Sequence, residues 1–445
     1  MATYNSGQVK FETPGAVIDS TIPSRRLYDF SDRVADLAPE ESPFFVYLSK
    51  VAKVPTSDSQ FRFLEDRTKI AMTDRSFKIK GAATLAAAGS NTSLIVDLNG
   101  NSSVDWLIKG MVVQFAQNKN TESTDVEAIT QATGRIESVS QGSGETSIVV
   151  KTIDASSGST TTLDDDGDCV VIGTSYAEGS GSPDVFSQEL DNDYGYTQIF
   201  KTACEMSNTA RATQYRGYAD EWQRIWNLKL REHKIDIERA MLFGMKGSQS
   251  GIQYSDGIVG HIIKNGGTPS DGSIGAYSEG SPYLATYASS ELTYDGLLSA
   301  FEVMFDPARG GSLAKLCLAS LPVVSHFNKL SGFMNNSLSG TQNYNFERAQ
   351  GSFGHNVMRI ETVHGDVSIV KEPLFRNNAS GHMCFVDLDH VSYRPLVGNG
   401  INRDTSIQTN VQGADEDLRK DMILTEAGLE VSIPESHALI NLEGA

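Results

Sequence analysis

The sequence predicts an α+β fold interrupted by an all-β insertion, and three observations carry that expectation. Two stretches with a two-residue period, Gln60 to Lys80 and Tyr194 to Ser207, bracket a segment rich in Gly, Ser, Thr and Asp. A long proline-free stretch from Tyr218 to Met245 then shows helical periodicity. From Thr293 onward, helical and strand-like patterns alternate without an internal repeat.

At 445 residues the chain exceeds one ordinary core and calls for two or three packed units. Lys and Arg number 37 against 56 Asp and Glu, a net charge of -19 spread along the chain. Such a surface repels phosphates, which argues against direct gripping of DNA or RNA but is compatible with enclosing it. Cys169, Cys204, Cys317 and Cys384 lie far apart and match neither a zinc spacing nor a secreted disulfide framework. No signal-like N-terminus and no membrane-length apolar run is visible, so synthesis in a cytoplasm and no membrane association are expected.

Residues 1 to 24 are polar and broken by Pro14, Gly15 and Pro23, and read as an extended arm that needs a partner surface. Two short helical patterns follow, SRRLYDFSDRVADL and ESPFFVYLSKV, the second with Ser42 as N-cap and Pro43 at the first helical position. The alternation from Gln60 to Lys80 predicts one long strand. Its counterpart places Tyr194, Tyr196, Gln198, Phe200 and Thr202 on one face, with Thr197, Ile199 and Lys201 on the other. Between them, SLIVDL, GMVVQF, GRIESV, TSIVVKTI and DCVVIG are short β-prone pieces separated by turn clusters, which makes an insertion at the tip of a long hairpin.

Two apolar stripes mark the helix of Tyr218 to Met245. Trp226, Leu230, Ile237 and Met241 form one, and Leu228, Ile235 and Leu242 another about 160° away, as on a helix packed on both sides. Burial inside a large core is the alternative reading. Residues 246 to 290 hold nine glycines and little periodicity, and read as a surface excursion. Beyond it, Leu298, Phe301 and Phe305 have helical spacing, LAKLCLAS reads as a buried strand and PVVSHFNKL as a helix. MRIETV, VSIVKE, HMCFVDL and GLEVSI are strand candidates.

No phosphate loop, dinucleotide fingerprint, nucleophile elbow or H-E-x-x-H occurs, so no catalytic site, cofactor or metal is assigned. His382, Cys384 and His390 would share a strand face, but eight residues of straight strand part the histidines by about 26 Å, too far for one zinc ion. Asp164, Asp165, Asp166 and Asp168 lack the spacing of a calcium loop and read as an acidic turn.

The order of arm, long hairpin, long helix and mixed region resembles the Hong Kong 97-type major capsid proteins of tailed phages. RVADLAPEESPFFVYLSKV, with Pro43, Phe44 and Leu48, looks like the start of one such family. DYGYTQIFKTACEMSNTARAT is similar to the returning strand of its extended loop, and YADEWQRIWNLKLREHKIDIERAML to its spine helix. CFVDLDHVSYRPL and DLRKDMILTEAGLEVSIPESHALI look like its closing strands. The resemblance implies an arm with short helices at 1–58 and an extended loop at 59–81 and 184–211. It further implies an insertion at 82–183, a peripheral domain with the spine helix at 212–306 and 396–445, and an axial domain at 307–395.

It also implies a non-enzymatic subunit that forms hexamers and pentamers of an icosahedral head enclosing double-stranded DNA without specific binding. Portal, scaffolding and decoration proteins would be its partners. Family members with an internal scaffold carry extra N-terminal helices, and this chain starts almost directly with the arm, which points to a separate scaffolding protein. Trp226, Leu228, Leu230, Ile235, Ile237, Tyr194, Tyr196 and Phe200 are the expected assembly residues. A tail, decoration or surface-layer subunit and an enzyme of unfamiliar fold are the alternatives, separable by electron microscopy and by sizing.

Overall fold

The computed structural model describes residues 44–45, 48, 53–66, 75–98, 103–115, 132–142, 145–155, 161–185, 189–215, 220–266, 270–271, 282–337, 346–350 and 356–443. The expected arm, the first short helix and the Ser42–Pro43 cap lie outside the described residues. Phe44 and Leu48 of the second helical pattern are fully buried.

The insertion is a closed six-stranded barrel. Around it run Ser76–Ile79, Asn91–Asp97, Glu145–Ala155, Ala132–Gly142, Met111–Phe115 and Asp168–Thr174, each antiparallel to the next. Period-two alternation sends Phe77, Ile79, Leu94, Val96, Val113, Phe115, Ile136, Ile148, Val150, Cys169 and Val171 inward into one apolar cluster. Register shifts at Val112/Val113, Thr133/Gly134 and Ile136/Ser138 add the curvature that closure needs. At Gly134 a Cβ would lie 2.3 Å from a Val150 methyl, so the wall is glycine there because the packing leaves no room. The acidic turn holds Asp166 at φ 60° and accepts the Gly81 N–H on Asp165 Oδ1 at 2.7 Å.

This corrects the loop boundary at 81. Ser76–Ile79 pairs with Asn91–Asp97 and Asp168–Thr174, and so belongs to the barrel. Two separate strands in matching phase had read as one.

The long helix spans Glu221–Phe243. Asp220 caps it by accepting the Trp222 and Gln223 N–H groups, and Gly244 ends it. Its buried residues are His233, Ile237, Glu238, Met241 and Leu242. Among the described residues no helix is long and apolar enough to cross a membrane.

The helix packs on two sheets. In the first, Gln198–Ser207 and Val391–Pro395 flank the 14-residue strand Leu418–Val431, which also pairs with Ser406–Gln408. The second has eight strands in the order Ser270–Asp271, Tyr283–Ala288, Ala438–Glu443, His382–Val386, Ala314–Ala319, Asp366–Lys371, Asn356–Glu361 and Phe346–Gln350. Leu316 and Leu318 face the long helix and Ile258, while Cys317 and Ala319 face Leu297, Phe301 and Phe327 of the helices Tyr294–Met304 and Leu321–Ser337. Burial of both faces explains why LAKLCLAS lacks alternation.

The domain ranges shift accordingly. Val391–Pro395 joins the first sheet, whereas Tyr283–Ala288 and Ala438–Glu443 join the second. Residues 246–290 are not simply a surface excursion, because Ile258–Asn265 is a helix with Ile258, Val259 and Ile262 in the core. Its glycines serve close packing: a Cβ on Gly257 would sit 2.4 Å from Gly244 N, and one on Gly260 2.2 Å from Gly244 O. Among the described residues the order runs ribbon strand, barrel, returning strand, long helix and mixed α/β region.

Candidate assembly surfaces

The barrel is carried on a two-stranded ribbon, Gln60–Glu65 against Asp191–Tyr196, paired from Gln60↔Tyr196 to Glu65↔Asp191. Two strands alone bury little, and such a ribbon is marginal in water. It is therefore fastened to the body at three points along its length.

The first is Phe61, 5% exposed, whose ring fills the space over two glycines. A Cβ on Gly195 would lie 2.4 Å from that ring and one on Gly428 2.9 Å, while Arg394 stacks at 5.7 Å and pairs with Glu430. At the second, Lys246 Nζ, just past the long helix, donates to Asp193 Oδ1 at 2.8 Å and Oδ2 at 3.0 Å and to Tyr194 O at 3.2 Å. Burial pushes the Asp193 carboxyl up, but hydrogen bonds from Lys246 and the Tyr194 N–H and the Lys246 charge together hold it below the usual carboxylate range. The third is Glu65, which accepts the Ile433 N–H at 2.9 Å. Ile433 sits at φ 46°, a strained conformation for a β-branched residue, where the chain crosses from the first sheet to the second.

Between and around these fastenings, the ribbon and its flanks expose apolar side chains. Leu64 is 65% exposed, Val185 90%, Leu190 49% and Tyr194 41%. Tyr194 and Tyr196 meet edge to face at 5.5 Å and so share one side of the ribbon, Tyr196 being half-buried. Phe200 does not share that side. It is buried under the long helix, because the phase of alternation slips at Thr197, whose N–H donates to Ser59 O at 2.9 Å. Ile199, on the opposite face of the same strand, is exposed.

The two helix stripes fare differently. Ile237 and Met241 of the first are buried, and Trp226 and Leu230 are half-buried. Leu242, assigned to the second stripe, lies in the core with Ile237. Leu228 is 51% exposed and Ile235 half-buried, so within one chain the second stripe is partly uncovered. His233 fixes the helix to the first sheet through Thr202 Oγ1 and Thr425 Oγ1, each at 2.9 Å, and burial lowers its pKa so that the ring stays neutral.

The structure thus brings Tyr194 and Tyr196 together, sets Trp226, Leu228, Leu230, Ile235 and Ile237 around one helix, and leaves Phe200 inside. Sequence reasoning missed Phe61, Glu65 and Lys246. Glycines spaced along the chain at 195 and 428 hint at a close approach, but nothing local names the ring that fills it.

Among the described residues no group of three His, Cys, Asp or Glu side chains could hold a metal ion. His382 instead pairs its Nδ1 with Asn441 Oδ1 at 3.1 Å, and His390 lies in a turn after the strand.

Comparison with solved structures finds likenesses among phage and related capsids. The capsid of cyanophage A-1(L) is 10% identical, with a TM-score of 0.46 over 94% of this chain and 98% of that one. The capsid of a native GTA particle is 9% identical, with a TM-score of 0.43 over 96% and 99%. A chain of Microbacterium phage Oxtober96 is 11% identical, with a TM-score of 0.43 over 94% and 96%. No curated protein matches the chain. The SU10 major capsid protein family model matches residues 3–443. On that match over nearly its whole length, the chain belongs to the SU10 major capsid protein family.

Proposed function

We propose that this subunit assembles through its ribbon and long helix into hexamers and pentamers of an icosahedral head. The observation that supports this most is the ribbon: it is rooted on the body yet offers Leu64, Tyr194 and Leu190 to solvent. A neighbouring subunit that covers them removes apolar area from water at about 25 cal/mol per Å². The half-covered helix stripe at Leu228 and Ile235 offers a second contact of the same kind. Trp226, Leu230, Tyr196 and Ile237 back these contacts from the same elements, and Phe200 holds the strand beneath them.

In this reading the shell encloses double-stranded DNA without gripping it, since a net charge of -19 repels packaged phosphate. Portal, scaffolding and decoration proteins are the expected partners, and synthesis takes place in the host cytoplasm. The purified chain, followed by light scattering and negative-stain electron microscopy, should give capsomers or closed shells. A monomer that persists under all assembly conditions overturns the proposal, and tubes or flat lattices would point to a different lattice geometry.

A further inference from the structure

A cluster outside the ribbon and its root bears on how the N-terminal part of the chain is held. Glu238 on the long helix and Glu372, just beyond the strand Asp366–Lys371, are 0% and 1% exposed. They face each other where three parts of the chain meet. Phe44 and Leu48 come from the N-terminal part, Ile237, Met241 and Leu242 from the long helix, and Val370 and Phe375 from the second sheet and its following turn.

Each carboxyl has a backbone donor on one side. Glu238 Oε1 accepts the Phe44 N–H at 2.8 Å, and the Phe45 N–H also points at this carboxyl. Glu372 Oε1 accepts the Leu374 N–H at 3.1 Å. The second oxygen of each, Oε2, is buried and has no hydrogen-bond donor among the described residues. The groups found facing Glu238 are Glu372 from the second sheet and the amides of Phe44 and Phe45 from the N-terminal part; those facing Glu372 are the Leu374 amide and Glu238. None of these carries positive charge.

Two buried carboxylates in contact, with no cation facing them among the described residues, cannot both stay ionised. A single proton between them turns repulsion into an O–H···O hydrogen bond and satisfies both inner oxygens. We propose that Glu238 and Glu372 form a proton-operated latch fastening the N-terminal segment at Phe44 to the long helix and the second sheet. The latch holds while the pair keeps its shared proton and opens when the proton leaves.

Burial pushes both carboxyls up from their ordinary range, and the charge of Glu372 pushes Glu238 further. The folded pair therefore binds protons more tightly than the unfolded chain does. Its contribution is complete below the ordinary carboxylate range and is lost as pH rises through the raised values, so the latch loosens on the alkaline side of neutral. The Phe44 and Phe45 amides are then freed while the rest of the core, which has no part in the pair, stays folded.

Hydrogen exchange of the Phe44 and Phe45 amides in the full-length chain tests this, read as protection corrected for the intrinsic rate. From mildly acid to alkaline pH, protection in the natural chain should fall by up to about tenfold per pH unit. Glu238→Gln can still accept the Phe44 N–H and can donate to Glu372, so its profile should be flat. Glu372→Gln should flatten the profile too, and serves if the first variant folds poorly. Asp236→Asn, an exposed change two residues earlier on the opposite face of the helix, should keep the natural profile. A flat profile in the natural chain, or an equal fall in the natural chain and both Gln variants, overturns the latch.

Discussion

The barrel and the ribbon that carries it are both antiparallel β-structure, yet they solve the problem of burial in opposite ways. The barrel turns one face of six strands onto itself, and its apolar cluster is complete without the rest of the chain. The ribbon has two strands, no interior, and apolar side chains left in water. Its order comes from three ties along its length, Phe61, Lys246 and Glu65, that hold it to the body. The difference teaches that strand count and closure, more than strand propensity, decide which β-segment folds alone and which waits for a neighbour.

The sharpest way to break this contrast is inside the barrel. Phe115→Ala removes a fully buried ring and should cost about 3–5 kcal/mol, confined to a calorimetric transition of the barrel. If the whole chain melts earlier as one unit, the barrel is not self-contained. Gly195→Val attacks the ribbon's root instead, because the new side chain overlaps the Phe61 ring. It should cost about 1–3 kcal/mol of body stability and raise proteolysis at the ribbon, with the barrel's transition unmoved. Replacing residues 76 to 174 by a short Gly/Ser linker should shift body stability by less than about 1 kcal/mol, since loop closure depends only logarithmically on length. A body that fails to fold by circular dichroism would show that the barrel supports it. The smallest effect on the isolated chain is expected for Leu64→Asp, within about 0.5 kcal/mol at an exposed site. Electron microscopy of that variant should nevertheless show few or no shells, and shells of normal yield would remove Leu64 from the assembly surface.

The sequence made the barrel's strands legible because short runs rich in β-branched residues between turn clusters are a local signal, as in Ser147 to Ile153. The ends of the long helix were legible to within a few residues, since Asp220 and Gly244 are local stop signs. Local signals also misled. The run from Gln60 to Lys80 hid two strands of different sheets, and Thr197 shifted the phase that had put Tyr194 beside Phe200. Glycines at 257 and 260 suggested a loop where they allow a helix to pack tightly against Gly244. Pairings such as Lys246 with Asp193, or Glu238 with Glu372, join residues far apart in sequence, and no periodicity encodes them.

Closure of the barrel has a consequence for crowding. In a shell, many copies of one chain stand within contact distance, and any open strand edge at such local concentration is a template on which copies can zip together in the wrong register. Around its closed circuit the barrel offers its neighbours side chains such as Ile172 and Ile153, and each of its six strands has a partner on both sides. Misassembly by strand addition around the barrel's closed circuit is thereby shut off by its topology.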